Sequence, residues 1–135
     1  VIVRWPGKVK PGTVSNQPAY FPDFFATFST LSGSSIQVKS DGINLLPVFT
    51  GKKDKVFKRM LYWEQFPRKG ISQAVRYGDW KAIKMQEDEP WQLYDLKNDP
   101  SERENVASEN PKILKKINDY AKSAHTESEC WPTHF

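Results

Sequence analysis

Few residues in this chain could carry out chemistry, and their types and spacing exclude most reactions. His125 and His134 are the only histidines among 135 residues, and Cys130 is the only cysteine. Two imidazoles without cysteine or carboxylate at useful spacing make a poor metal site. His125 reads more simply as the last residue of a helix, where a cation suits the dipole. Asp95, Asp99, Glu102 and Glu104 are close in sequence but lack the Asp-x-Asp-x-Asp-Gly pattern of a calcium loop. Asn98-Asp99-Pro100 accounts for itself as turn chemistry. No glycine-rich phosphate loop and no Ser-His-Asp arrangement is present. The better candidates are Trp63, Glu64, Gln73 and Arg76. An aromatic ring can stack on the C–H face of a sugar, and Glu, Gln and Arg can reach hydroxyls or an anionic group. The competing reading makes Trp63 a core residue and the other three a solvated sheet face. Trp80 and Trp91 are expected in the core, where burial of a large ring is strongly favourable.

These residues depend on a run of short strands. Met60–Phe66 has strand composition. Ala74–Tyr77, Trp80–Met85 and Trp91–Leu96 follow, separated by Gly78-Asp79 and by the acidic loop Gln86–Pro90, and Lys97-Asn98-Asp99-Pro100 closes the series. Such a meander gives an antiparallel sheet with one face for a core and one for solvent. Asn110-Pro111 then opens a helix, with Asn as N-cap and Pro at its first position. Ile113, Leu114, Ile117, Tyr120, Ala121 and Ala124 repeat at helical spacing to about His125, and this apolar face should lie across the sheet.

Upstream, Val1–Trp5 reads as a short buried strand ended by Pro6-Gly7. Phe21, Phe24, Phe25, Phe28 and Leu31 fall on one face of a helix that Pro22 and Asp23 suit at its start and Gly33 at its end. Asp41-Gly42 turns the chain into Ile43–Phe49, one or two helical turns ending at Gly51. Lys52–Arg59 is a basic connection.

The formal net charge is +4, with hydrophobic residues at 38% and aromatic residues at 13%. This is the composition of a folded domain of ordinary size. The basic residues are interleaved with acids, whereas a nucleic-acid binder concentrates charge on one face, so no nucleic-acid partner is expected. No apolar run approaches the ~20 residues that cross a bilayer, so no membrane span is expected. No signal peptide is visible. The chain starts without Met in a β-type run and is read as a piece of a longer polypeptide.

The ordered series VIVRWPGKVKPGTVSNQP, FPDFFATFSTLSG, DGINLLPVFTG, LYWEQF, AVRYGDWKAIK and LYDLKNDPSERENVA resembles the C-terminal part of the type I, formylglycine-dependent sulfatases. The likeness points toward the arylsulfatase A and N-acetylgalactosamine-6-sulfatase group. Each piece is weak alone, and the order is what is specific. The resemblance implies an α+β fold: a small antiparallel sheet of about four strands packed by a C-terminal helix, preceded by a strand-helix segment. Residues 1–51 would come from the edge of the α/β catalytic domain, and 52–135 would form the C-terminal subdomain.

The resemblance also implies a parent enzyme that hydrolyses sulfate esters, with sulfated sugars or glycosaminoglycans as substrates, and that uses Ca²⁺ and a formylglycine. The parent would be periplasmic or secreted. Its metal ligands and nucleophile lie upstream of the matching segment, so none can be carried onto this chain, and the chain alone is expected to be inactive. Cys130-Trp131-Pro132-Thr133-His134 matches the family's Cys-x-Pro-x-Arg motif at Cys and Pro but has His134 in place of Arg, with no helix to follow. It reads as a decoy. In the family this subdomain borders the active-site cleft, which assigns Trp63, Glu64, Gln73 and Arg76 to substrate binding. The expected partners are the catalytic domain and the sulfated carbohydrate, with self-association through the Phe-rich helix as a further option. The alternative is a non-catalytic module that binds anionic glycans through Lys52, Lys53 and Lys55.

Overall fold

A computed structural model of the chain describes residues 1–34, 40–52, 58–66 and 70–129. It divides into two compact units, Val1–Phe57 and Lys58–Phe135.

The second unit is the meander. Strands β1 (Met60–Gln65), β2 (Ser72–Tyr77), β3 (Trp80–Lys84) and β4 (Gln92–Asp95) pair antiparallel in their sequence order. The β2–β3 turn is the two-residue loop Gly78-Asp79, and Gly78 takes a φ of +61°. A glycine with positive φ at the first loop position matches the right-handed twist of the flanking strands. Alternation along the strands sends Tyr62, Val75, Ala82 and Leu93, which stand opposite one another in register, to one face.

The helix α3 (Pro111–Ala124) covers that face and packs on β1 and β2. Val75, Ala82, Leu93, Ile117 and Ala121 form the core, and Ile113, Leu114, Tyr120, Trp80 and Trp91 are half-buried against it. The helical and strand periods read from the sequence therefore meet in one apolar layer. Each fully buried aliphatic side chain there contributes about 1.5–3 kcal/mol relative to exposure. Trp91 keeps its polar edge satisfied, with Nε1–H donating to Asn118 Oδ1 at 2.9 Å. Asn110 stands at the N-cap position, but its side chain makes no capping bond and instead donates to the Val106 carbonyl at 3.1 Å.

The first unit holds α1 (Phe21–Leu31) and the single turn α2 (Leu46–Phe49). One expectation is corrected here. Val1–Trp5 is not a strand: no ladder partner among the described residues pairs with it, and Val1 and Ile2 are 85% and 99% exposed. A β-type run becomes a strand only when a neighbour supplies its hydrogen bonds. On α1, the polar Asp23 and Thr27 are fully buried, while Phe21, Phe25, Phe28 and Leu31 are exposed.

The cause lies in the Asp41–Leu46 segment. Asp23 Oδ2 accepts from the Tyr20 N–H at 3.0 Å, reaching back over its own helix start, and Oδ1 accepts from the Ile43 N–H at 2.9 Å. Thr27 Oγ1 donates to the Asp23 carbonyl at 2.7 Å and accepts from the Leu45 N–H at 2.9 Å. Gly42 approaches so closely that a Cβ there would stand 2.1 Å from the Pro22 carbonyl oxygen. The Asp-Gly-x-x-Leu-Leu-Pro segment is thus clamped to the polar side of α1, and satisfying buried backbone N–H groups determines which side that is.

Candidate functional site

The four residues singled out in the sequence lie on β1 and β2, but they do not form one cluster. Glu64 stands opposite Gln73, Trp63 opposite Ala74 and Leu61 opposite Arg76. Neighbouring strand residues point to opposite faces. Glu64 and Gln73 therefore share the face that carries α3, while Trp63 and Arg76 share the other.

On the α3 face, Glu64 and Gln73 belong to a four-membered polar network. Gln73 Nε2 donates to Tyr62 Oη at 2.8 Å, and the Tyr62 hydroxyl donates to Glu64 Oε2 at 2.5 Å. His125, at the C-cap of α3, places Nδ1 2.9 Å from the same Glu64 oxygen. A carboxylate can only accept, so Nδ1 carries the hydrogen. On its other side, Nε2 lies 3.6 Å from Glu127 Oε1. Gln73 is 3% exposed, and the side chains of His125 and Glu64 are 4% and 23% exposed. Burial, reinforced by the bond to Glu64, pushes the Tyr62 phenol well above its ordinary value, so it remains a donor. The network ties the end of α3 to the edge strand β1. Tyr62 and His125 were not picked out as its members from sequence. Tyr62 has the same strand parity as Glu64, which is a usable signal, whereas His125 lies 61 residues from Glu64 and has none.

The opposite face is more open. Trp63 is 42% exposed. Arg76 is its diagonal neighbour across the β1–β2 pair, an offset of roughly 7 Å that long side chains span. Lys81 stands opposite Arg76 on β3, with Tyr94 beyond it on β4. Lys81 Nζ pairs with Glu102 at 2.6 and 2.7 Å, and the Tyr94 hydroxyl donates to Gln92 Oε1 at 2.6 Å. Arg76 Nε donates to the Gly78 carbonyl at 3.3 Å, at the limit for such a bond. This arrangement places a half-exposed indole diagonal to a guanidinium, with the nearest ammonium already paired to Glu102.

The acids after β4 serve the backbone. Asp95 accepts from the Lys97 N–H at 3.0 Å and from Asn98 Nδ2 at 2.7 Å, and the Asn98 bond holds its carboxyl below the usual range. Asp99 Oδ2 accepts from the N–H groups of Arg103 and Glu104 at 2.6 and 2.9 Å. These are the turn roles expected from Asn98-Asp99-Pro100. Among the described residues no group of three His, Cys, Asp or Glu side chains converges as a metal site. Cys130, Trp131 and His134 lie outside the described residues, as do Lys53 and Lys55.

The family described as "N-sulphoglucosamine sulphohydrolase, C-terminal" matches residues 1–127. An ulvan-active sulfatase of Formosa agariphila is 30% identical over 140 residues, covering 79% of this chain and 28% of that protein. An N-acetylgalactosamine-6-O-sulfatase of Bacteroides thetaiotaomicron is 29% identical over 142 residues, covering 93% of this chain and 27% of that protein. The structure of a protein in complex with its substrate, D-glucosamine-2-N,6-O-disulfate, superposes with a TM-score of 0.72 at 27% identity, over 90% of this chain and 27% of that one. The chain thus spans little more than a quarter of the length of these relatives. The four-stranded meander closed by a C-terminal helix and the match over nearly every residue agree: this chain is a sulfatase C-terminal domain, a member of the N-sulphoglucosamine sulphohydrolase C-terminal family.

Proposed function

We propose that the whole protein hydrolyses sulfate esters of a sulfated sugar and that this chain supplies substrate recognition rather than the reacting groups. The observation that carries this reading is the family match over residues 1–127, joined to relatives and neighbours named for sulfated sugars. In this reading the calcium ion and the formylglycine are held by the part of the enzyme outside the matching quarter. The acids that follow β4 are committed to turns (Asp95 and Asp99) and to an ion pair with Lys81 (Glu102), which fits that division. Residues 1–51 belong by ancestry to the edge of the catalytic domain, and the exposed phenyl rings of α1 face it.

Trp63 and Arg76 are the residues we assign to the sugar: the indole stacks on a ring face and the guanidinium takes a sulfate through paired N–H donors. Glu64 and Gln73 act differently. Locked with Tyr62 and His125 on the other face, they hold β1 in place, so that Trp63 is presented at a fixed angle. In the whole enzyme, Trp63→Ala and Arg76→Ala should raise KM for a sulfated saccharide and leave turnover of a small aryl sulfate near its original rate. Unchanged kinetics on the saccharide for both variants would reduce the domain to a cover. The 135-residue chain alone, given calcium and a chromogenic aryl sulfate, should release no product above a heat-killed control, and turnover there would refute the division of labour.

A further inference from the structure

On the α3 side of the sheet, away from Trp63 and Arg76, cations from separate elements gather around one tyrosine. Lys116 Nζ donates to Tyr77 Oη at 2.7 Å and lies 4.2 Å from the centre of the same ring. Lys112 is one turn earlier on the same helix, so its Cβ is a surface neighbour of Lys116, and both are exposed. Lys58 precedes β1 by two residues, and Met60 of that strand stands opposite Tyr77. Met60 also meets α3, where the Tyr120 hydroxyl donates to the Met60 carbonyl at 3.2 Å. The phenol of Tyr77 is held below its ordinary value, first by the Lys116 bond and its charge and also by the charge of Lys58. Of the nearby acids on α3, Asp119 is taken by Lys115 at 2.6 Å. Asp79 lies in the turn just past Tyr77.

We propose that Lys58, Lys112 and Lys116, arranged about Tyr77, form a second anion site that holds a sulfated polysaccharide away from the point of hydrolysis. Lysines suit this task because an ammonium is a compact charge on a flexible stem, and it follows a polymer whose sulfates are not fixed in register. Tyr77 holds one of the stems: the Lys116 ammonium rests on its ring, which reduces the freedom that would be lost on binding. A site of this kind raises the local concentration of substrate at the domain without taking part in the reaction. The choice of a sulfated polysaccharide rests on the reading of the whole protein as a sulfated-sugar hydrolase, but the site is tested by binding alone.

The test uses the full chain, fluorescein-labelled dextran sulfate as the probe, plain dextran as the uncharged control and a duplex DNA as a different polyanion. Lys58→Gln/Lys112→Gln/Lys116→Gln should weaken dextran sulfate binding at low salt about tenfold or more, equivalent to about 1.4 kcal/mol, and flatten its salt dependence. Lys8→Gln/Lys10→Gln/Lys52→Gln removes the same charge from the first unit and should change binding little. Lys112→Gln alone, at an exposed position, should give a partial loss. Equal losses from the two triple variants, or no loss from the first, would overturn the site, and equally tight binding of the duplex DNA would overturn its assignment to sulfated polysaccharide. Failure of the Trp63 and Arg76 kinetics would leave these binding results standing, so the two readings fail separately.

Discussion

Replacing Tyr62 with Phe removes one oxygen and almost no volume, so it tests the network that ties α3 to β1. That oxygen accepts from Gln73 Nε2 at 2.8 Å and donates to Glu64 Oε2 at 2.5 Å. Gln73 is 3% exposed, so its amide would be left without the acceptor and with little access to water. A buried donor left unsatisfied costs about 1–3 kcal/mol, and a bond to a charged acceptor contributes about 1.5–3 kcal/mol. Glu64 keeps His125 and is partly solvated, which reduces the second loss. The expected destabilisation is about 2–3 kcal/mol, a large share of the stability of a small domain. With a urea m-value of roughly 1–3 kcal/mol per molar, the unfolding midpoint should fall by about 1 M. Trp80 and Trp91, half-buried against the core, report the transition by fluorescence. The mechanism makes a sharper claim: once Tyr62→Phe is present, adding Gln73→Leu should cost much less than it does alone, because both partners of the bond are then apolar. Additivity of the two substitutions within about 0.5 kcal/mol would refute the coupling. An unchanged midpoint for Tyr62→Phe would refute the network's contribution altogether.

Two further outcomes follow from other parts of the chain. Gly42→Ala forces a methyl against the Pro22 carbonyl, 2.1 Å away in the present backbone, and should loosen the α1 clamp by about 1–3 kcal/mol; proteolysis within residues 1–52 should accelerate while amide exchange in the meander stays unchanged. A spectroscopic tyrosine titration should show Tyr77 ionising below the ordinary value of 10.0 and Tyr62 above it, with the early phase lost in Tyr77→Phe. The signs for stability are opposite. The Tyr62 contribution, with its folded value raised, is full below pH 10 and is lost as pH rises beyond it; that of Tyr77, with its folded value lowered, is present above the unfolded value and is lost as pH falls through the folded one.

The strands and both longer helices could be read from the sequence because each has a clean period: two in the meander, 3.6 over Phe21–Leu31 and Pro111–Ala124. The division of Trp63 and Glu64 between faces is legible in the same way, since consecutive strand residues cannot share a side. What could not be read locally was set by distant partners. Asp23 looks like a helix-start acid, which it is, but its burial comes from the Ile43 N–H 20 residues on. The apolar face of α1 has the pattern of a core helix, yet within its unit the buried side is polar, because that side meets the backbone of residues 43–45. Val1–Trp5 shows the same limit for strands, since composition supplies the tendency and only a neighbour supplies the ladder.

The order in which the sheet is wired also has a consequence for folding. Every strand pairs with the next in sequence, so three short loops close the entire ladder, and contacts of this local kind form quickly. The helix contacts to β1 are different in kind: Tyr120 reaches Met60 across 60 residues, and His125 reaches Glu64 across 61. Loop-closure entropy rises only logarithmically, so these contacts cost little more than short ones, but they form only after the segment between them has ordered. The strand that is first in the chain is therefore the last to be locked. Its outer edge is the side of the ladder that no later strand of the meander covers.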